Sequence, residues 1–287
     1  MKGRLECIPC FIRQALEAAN MCTDNEELAE KVLREVLSYV LHEKWDKNTA
    51  EIGTNIHRIV KQVTNNMDPY KPLKTKYNQR ASDLCPKLKH IVEISNNPLL
   101  TAAKIATLGN AIDFGPKTEI DIDKEAKNLL DRSLAINDIA QLKKSALKIK
   151  NIIYLADNAG ETFFDRILID ELVKRKINVT YVVKTAPILN DATLQDAELS
   201  GITSVAKVMT TGTDCIGIFF KECSKEFLKE FERSQLVISK GQGNYESLSD
   251  IKNKEIYFLL KVKCPIIAEN IGARVGSIVL KKSFDRK

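Results

Sequence analysis

The spacing of apolar residues divides the chain into a helical first half and a second half of alternating patterns. Over residues 25–43, aliphatic residues recur at intervals of three and four, which predicts an amphipathic helix. A capping box would start it at Thr23 and Glu26 or at Asp24 and Glu27. The same periodicity predicts helices over 8–22, 48–64, 77–94, 99–108 and 120–150. Because proline cannot donate a backbone hydrogen bond, we expect it to divide this half into short helices, at Pro69, Pro72, Pro86 and Pro98.

The pattern changes at residue 151, where short β-branched runs begin. These runs predict strands over 151–156, 178–184, 204–209, 235–239, 255–261 and 276–280. Helical patterns separate most of them, at 161–175, 194–199 and 221–232. Strands that alternate with helices are typical of a mostly parallel sheet, and continuously apolar strands are typical of a sheet covered on both faces. The sequence therefore predicts an α/β fold, with the boundary between the halves between residues 100 and 150.

Composition narrows the classes of function. The 287 residues carry 44 basic and 38 acidic side chains, a net charge of +6 that is mild for this length and compatible with a small anionic substrate. Only 6% of the residues are aromatic, with Trp45 the one tryptophan, which argues against a base-stacking nucleic-acid surface. No apolar run approaches the ~20 residues that span a bilayer, and Arg4 and Glu6 interrupt the place of a signal peptide's apolar region.

The number of cysteines indicates in which cellular compartment the protein is expected. Seven cysteines make an odd number, which argues against a disulfide framework. We therefore expect a soluble, cytoplasmic protein that binds neither nucleic acid nor a membrane. The sequence does not indicate its oligomeric state.

Polar loops follow the predicted strands, and they are where chemistry is expected, because ligands bind at the carboxyl ends of strands in open α/β sheets. The first loop carries Asp157 and Asn158, and the second carries Asn190 and Asp191. These oxygen donors suit Mg²⁺ or Mn²⁺, which phosphate oxygens often complete. A zinc hydrolase would use histidines, and all three histidines lie in the helical half. The alternative for either acid alone is a helix N-cap or an Asx-turn.

The loop KGQGN at 240–244 follows the fourth predicted strand. Its glycines allow close backbone approach, and Lys240 and the nearby amides could hold an anion; the alternative is a glycine turn with a solvated lysine. Gly160 and Glu161 open a helix whose N-terminus could hold a phosphate. The P-loop and GxGxxG patterns are missing, and so is the second acid of an aspartyl-phosphate enzyme, since alanine stands two places after Asp157. Attack by a metal-activated water is the simpler mechanism.

Two motifs of the helical half also carry reactive side chains. LGNAIDFG at 108–115 is either a plain loop or a loop that folds over the sheet and brings Asn110 and Asp113 to the site. CIPC places Cys7 and Cys10 at a helix start, a spacing found in zinc sites and redox pairs, with Cys264 as one distant partner. The alternative is two small side chains on a helix face.

Five motifs occur in the order of a known family: CIPCFIRQA, LGNAIDFG, YLADNAGET, APILNDATLQDA and SKGQGNYESL. On these motifs the chain resembles the damage-control phosphatase family, long catalogued as a domain of unknown function, and in particular its CxxC-bearing archaeal and bacterial branch. The resemblance spans Cys7 to about Leu280. It implies an N-terminal helical bundle over 1–100 packed on a three-layer α/β/α, Rossmann-like catalytic domain over 101–287. It also implies a metal-dependent phosphatase that acts on phosphorylated metabolites, sugar phosphates among them.

The resemblance implies roles for single residues as well. Asp157, Asn158 and Asp191 would hold the metal, while Lys240 and Asn244 would contact the substrate phosphate. Four further residues lie in shared motifs and are carried over as substrate-binding or catalytic candidates: Asn110, Asp113, Glu161 and Asn190. Lys240 would stabilise charge on the phosphate oxygens, and either Asp191 or Asp113 would align the water.

The predicted function is a phosphatase that depends on a divalent ion, such as Mg²⁺, Mn²⁺, Co²⁺ or Ni²⁺, with zinc at Cys7 and Cys10 as a further prediction. Two alternatives stay open. One is a methyltransferase that uses S-adenosylmethionine, although no glycine-rich loop follows the first predicted strand. The other is a regulator without turnover that binds a metal or a phosphometabolite and uses CIPC as a sensor.

Overall fold

The chain begins with a run of helices. The structure, a computed structural model, describes residues 1–108, 131 and 133–283, so Asn110 and Asp113 lie outside the described residues. The helices of the first part are α1 (Cys7–Cys22), α2 (Glu26–His42), α3 (Thr49–Thr64), α4 (Lys71–Glu93) and α5 (Pro98–Leu108). Among the described residues, no helix combines the length and apolarity that a membrane span requires.

Strands and helices alternate in the second part. In chain order they are β1 (Ile136–Asn137), α6 (Ile139–Ile149), β2 (Asn151–Leu155), α7 (Thr162–Val173), β3 (Asn178–Val183), α8 (Leu194–Leu199), β4 (Lys207–Thr210), α9 (Lys225–Arg233), β5 (Leu236–Lys240), α10 (Gln242–Leu248), β6 (Glu255–Lys261), α11 (Pro265–Ile271) and β7 (Ile278–Lys282). These strands form one sheet in the order β1-β7-β6-β5-β2-β3-β4. Only β6 and β7 pair antiparallel within this described sheet, which confirms the mostly parallel α/β fold.

Helices cover both faces of the sheet and complete three layers. Because successive strand residues point to opposite faces, Tyr154 joins the core under α4, α5, α6 and α7, whereas Leu155 joins the core under α9, α10 and α11. The strands are thus apolar on both sides, as the continuous runs in the sequence indicate.

Helices α1, α2 and α3 share a separate core. Val32, Val36 and Val40 of α2 are buried in it, together with Phe11 of α1 and Ile56 of α3. In contrast, α4 and α5 pack in the core beneath the sheet. The domain boundary at residue 100 stays a prediction; the buried side chains change from one core to the other between α3 and α4.

Two sequence predictions for the helical half are wrong. Helix α4 continues through Pro86. Leu84 and Leu88, on either side of this proline, are buried against the sheet, and the free energy gained by burying them offsets the lost backbone hydrogen bond. The helix predicted over 120–150 is interrupted, because β1 pairs with the edge of β7 before α6 begins. The Lys282 amide donates to the Asp138 carboxylate at 2.8 Å, which fixes that junction.

Some element boundaries also differ. Helix α2 is capped by Asn25, whose carboxamide oxygen accepts from two backbone amides, rather than by Thr23 or Asp24. The strand predicted over 204–209 is shifted to β4 and follows a 3₁₀ turn (Ile202–Ser204). Helix α10 begins inside the loop predicted at 240–244, and α11 was not predicted.

Candidate functional site

The chain reverses its path across the sheet between β2 and β5. From β2 it moves outward through β3 to β4, and it then returns to the other side of β2 to form β5 and β6. In open α/β sheets, ligands bind in the crevice at the carboxyl ends of the two strands that flank such a reversal. Asp157 follows β2 by two residues and Lys240 is the last residue of β5, so two of the predicted loops meet at this crevice.

Backbone hydrogen bonds join the first two predicted loops. The Ala192 amide donates to the Asp157 carbonyl at 2.8 Å, and the Ala159 amide donates to the Asn190 carbonyl at 2.9 Å. Asn158 and Asp191 face each other in an antiparallel bridge between these contacts. The structure therefore brings together the three predicted metal ligands, although Asp191 is 33 residues beyond Asn158 in the chain.

Several carboxylates converge at this bridge. Burial raises the pKa of Asp191 to about 7; Lys184, 3.8 Å away, acts against this shift, and the negative charges of Asp157 and Glu161 add to it. Burial likewise raises the pKa of Glu161 to about 7, with Lys240 opposing and Asp157 and Asp165 adding to the shift. Carboxylates that raise one another's pKa leave negative charge that a divalent cation would balance. Hard oxygen donors with surplus negative charge fit Mg²⁺ or Mn²⁺.

Gly241 brings the backbone of the fourth loop against Asp157. Its φ is +80°, a region that favours glycine, and a Cβ there would lie 2.0 Å from the Asp157 carboxyl carbon. The close backbone approach expected of this glycine is therefore present, and the group that approaches is the predicted metal ligand.

Lys240 is not a solvated lysine. Its side chain is fully buried, and its ammonium donates to Glu161 Oε2 at 2.8 Å and to Asp165 Oδ1 at 2.6 Å. Burial acts to lower the pKa of Lys240, but the Asp165 and Glu161 carboxylates raise it above the ordinary value. Asp165 was missed by the sequence analysis; its signal is an acid inside the apolar stretch of α7.

Asn244 is the other predicted phosphate contact, and one end of its carboxamide is already hydrogen-bonded to the backbone. The side-chain NH₂ donates to the Ala156 carbonyl at 2.9 Å and to the Lys240 carbonyl at 2.8 Å. The carbonyl oxygen Oδ1 is buried and has no hydrogen-bond partner among the described residues. The group left for a ligand is therefore an acceptor, which would pair with a hydroxyl or a water.

A cleft of about 440 Å³ opens above the bridge, between helices α1 and α3 and the carboxyl edge of the sheet. Its lining includes Asp157, Asn158, Asn190, Asp191 and Asn244. Lys240 and Glu161 are absent from this lining and lie behind it.

The cleft wall also contains residues that follow β6. Lys263, which the sequence analysis missed, lines the cleft, and its charge acts to lower the pKa of Asp191. The signal was available, because Lys263 follows a predicted strand just as Asp157 does. Cys264 lines the same cleft together with Cys7 and Cys10. Burial raises the pKa of the Cys7 thiol, and Glu246, Cys264 and Cys10 add to this effect.

In the described part of the chain, the thiols do not form a preformed zinc site. Within residues 1–108 and 133–283, no group of three or more His, Cys, Asp or Glu side chains is placed to hold a metal ion. The zinc predicted at Cys7 and Cys10 therefore lacks a complete ligand set there. The ligands predicted at the bridge are the carboxylates of Asp157 and Asp191 and the carboxamide of Asn158.

Comparisons with known proteins agree with this architecture. Residues 4–279 match the sequence model described as "Damage-control phosphatase ARMT1-like domain". The chain is 43% identical to an uncharacterised protein from Methanocaldococcus jannaschii, over 98% of this chain and 96% of that protein. It is 36% identical to a protein from Archaeoglobus fulgidus named damage-control phosphatase, over 96% of this chain and 97% of that protein.

A solved structure extends the likeness to the fold. A DUF89 family protein from Pyrococcus horikoshii superposes with a TM-score of 0.93 at 31% identity, covering 99% of this chain and 100% of that one. The same Pyrococcus horikoshii protein carries the name damage-control phosphatase, and its sequence is 32% identical over 99% of both chains. With a matching family model over nearly the whole length and relatives above 30% identity, this chain belongs to the damage-control phosphatase family.

Proposed function

We propose that the protein is a divalent-metal-dependent phosphatase that hydrolyses small phosphorylated metabolites, such as sugar phosphates, by attack of a metal-activated water. The observation that carries the proposal is the meeting of Asp157, Asn158 and Asp191 on the wall of the 440 Å³ cleft at the carboxyl edge of β2. Membership of a family whose named relatives are phosphatases supports the class of reaction.

Asp157, Asn158 and Asp191 would hold the ion through their carboxylate and carboxamide oxygens. A bound divalent ion supplies positive charge for the phosphate oxygens and lowers the pKa of a water. Lys184, which is buried, donates to the Gly217 carbonyl at 2.6 Å and places its ammonium 3.8 Å from Asp191 Oδ2. Its positive charge would favour the ionised form of Asp191, against the effect of burial.

The remaining cleft residues divide the task of binding the substrate. The Lys263 ammonium would attract the phosphate dianion from the open side of the cleft. Asn244 Oδ1 would accept a hydrogen bond from a water or a substrate hydroxyl, because its NH₂ is occupied by backbone carbonyls. Asp191 lies where it could align the attacking water, a role that the sequence analysis also gave to Asp113.

Phosphate release from a panel of phosphate monoesters tests the proposal. Mn²⁺, Mg²⁺, Co²⁺ and Ni²⁺ would be supplied in turn after treatment with EDTA, and activity should return with at least one of them. Asp157→Asn and Asp191→Asn should each lower the turnover by roughly 10²–10³-fold. Asp46→Asn is the matched control, since Asp46 is exposed and pairs only weakly with Lys2, at 3.3 Å. A wild-type protein that releases phosphate from no ester with any ion would contradict the proposal.

A further inference from the structure

A buried polar network lies behind the site, between the sheet and α7. Asp165, in the first turn of α7, is fully buried and accepts three hydrogen bonds. The Tyr154 and Tyr181 hydroxyls each donate at 2.7 Å, one to each carboxylate oxygen, and the Lys240 ammonium donates at 2.6 Å. The two tyrosines are partners across β2 and β3, so both hydroxyls reach the same carboxylate from one face of the sheet.

A buried charged network of this kind is weak evidence for a gain in stability. Moving charges out of water costs free energy that the ion pair regains only in part, and apolar side chains of similar size are often equally or more stable in the same place. Each tyrosine hydroxyl also adds a polar group that has to be satisfied, where phenylalanine would need no partner. The reason for the network therefore has to be sought in what it is connected to.

The network ends at a predicted metal ligand. Lys240 donates its other hydrogen bond to Glu161 Oε2 at 2.8 Å, and Glu161 Oε1 accepts from the Asn158 side-chain NH₂ at 2.5 Å. The same NH₂ donates to Asp157 Oδ2 at 3.0 Å. Because two carboxylates hold this NH₂, rotation of the carboxamide is blocked and the Asn158 carbonyl oxygen keeps one orientation.

We propose that Asp165, held by Tyr154 and Tyr181, is a positioning residue of the site, which acts through Lys240 and Glu161 to fix the Asn158 carboxamide as a metal ligand. The proposal rests on the proposed function, since it takes Asn158 to bind the metal. Asp165 is fully buried and does not line the cleft, so it would act on the metal only through its partners. Partners that orient a metal ligand from behind commonly change metal affinity or activity by about 10–100-fold when they are removed.

The test uses variants that keep the size of each side chain. Tyr154→Phe and Tyr181→Phe each remove one hydrogen bond to Asp165, and Asp165→Asn removes its charge. Tyr257→Phe is the matched control: Tyr257 is also buried in the sheet, and its hydroxyl donates to the Glu255 carboxylate at 2.9 Å, away from the cleft. Mn²⁺ affinity would be measured by electron paramagnetic resonance without substrate, and kcat, KM and Tm would be measured in parallel.

We expect Asp165→Asn to weaken Mn²⁺ binding by about 10–100-fold, and each tyrosine variant to weaken it several-fold with a matching loss of kcat. Tyr257→Phe should lower Tm without changing Mn²⁺ affinity or kcat. If the tyrosine variants lower Tm but bind Mn²⁺ as tightly as the wild type, the network is structural only and the proposal is wrong. The tyrosine variants decide the matter even where Asp165→Asn does not fold.

The wild-type protein separates this failure from that of the proposed function. If the wild type binds no Mn²⁺ and releases no phosphate, the proposed function fails and this proposal fails with it. If the wild type binds Mn²⁺ and turns over while the network variants match it in both, only the positioning role is overturned.

Discussion

At the scale of single residues, Lys240 has a different environment from the one that a glycine-rich loop indicates. Its ammonium lies between two buried carboxylates, those of Glu161 and Asp165, and it is fully buried itself. The positive charge of Lys240 offsets the repulsion between these two carboxylates inside the core. Its removal would leave both carboxylates buried without their partner.

Lys240→Met should therefore lower the free energy of unfolding by about 3–5 kcal/mol, the usual result of removing one partner of a buried ion pair. Lys207→Met is the control, because the Lys207 pair with Glu230, at 3.4 Å, is largely exposed and should contribute about 0–1 kcal/mol. Urea denaturation of both variants measures the difference. Equal stability of the two variants would show that the buried pairs contribute little.

His57 gives a prediction for the effect of pH on stability. Burial, and then the charge of Lys61, lower the pKa of His57 to about 4, and its ring packs against Tyr70. In the unfolded chain the pKa is about 6.5, so the unfolded state takes up a proton first as the pH falls. His57 should thus cost stability progressively between pH 6.5 and 4, up to about 3 kcal/mol.

His57→Phe should remove this contribution. The unfolding free energies of wild type and variant would be measured from pH 7.5 to 4.5. As the pH falls, the wild type should lose stability relative to the variant. A difference that does not change with pH would mean that His57 titrates alike in the folded and unfolded chain.

The part of the candidate site that lies at the carboxyl ends of the strands could be predicted from the sequence. Asp157, Asn158 and Asp191 follow strands, and the carboxyl ends of parallel strands share one edge, so their meeting in space could be expected from the sequence. Asp165 could not be found in this way, because its role depends on two tyrosines in different strands. The burial of Lys240 also could not be predicted, since it depends on which side chains face it from α7.

At the scale of elements, the start of α2 shows how little separates alternative caps. Thr23, Asp24 and Asn25 are all residues that cap helices, and only the backbone decides among them. Asn25 has extended backbone angles, and its carboxamide oxygen accepts from the amides of Glu27 at 2.9 Å and Leu28 at 3.2 Å.

Asn25→Ala should accordingly destabilise the protein by about 1 kcal/mol, because two helix amides lose their acceptor. Asp24→Ala is the control and should change stability by less than about 0.5 kcal/mol, since Asp24 is exposed and next to the cap. Thermal unfolding of both proteins checks the assignment. A larger loss for Asp24→Ala would favour the cap predicted from the sequence.

The strands of the central sheet were the most predictable elements. β2, β3, β5 and β6 are continuous apolar runs, and burial on both faces leaves little choice of register or exposure. The helix break predicted at Pro86 was wrong, because packing of Leu84 and Leu88 in the core outweighs the low helix propensity of proline. β1 could not be predicted, since two residues become a strand only because β7 offers them an open edge.

At the scale of the whole molecule, the cleft brings thiols and carboxylates to one cavity from opposite ends of the chain. Cys7 and Cys10 come from α1, Cys264 precedes α11, and Asp157 and Asp191 come from the sheet edge. Hydrolysis of a phosphate ester by a metal-activated water needs no thiol. We therefore expect the cysteines to support the structure of the cleft wall and not the chemical step.

The double variant Cys7→Ser, Cys10→Ser should keep a kcat within a few-fold of the wild type at saturating Mn²⁺, while its Tm falls. Phosphate release and thermal unfolding would be measured on the same preparation, with Cys22→Ser as the control, because Cys22 lies at the far end of α1. Loss of turnover in a folded protein that still binds Mn²⁺ would show that the thiols take part in the reaction.

The position of the cleft also has a consequence for folding. Its wall contains Arg4 and Glu269, whose side chains pair at 2.6 Å across 265 positions of sequence. Contacts this distant in sequence form late, because closing the chain between them has to precede any gain from the contact. During synthesis α1 is made long before α11, so the cleft would be completed only when almost all of the chain is available. If Mn²⁺ binds only to the completed cleft, the protein should regain Mn²⁺ binding in the last step of folding. After dilution from urea, the rate at which Mn²⁺ binding returns should therefore match the slowest refolding phase.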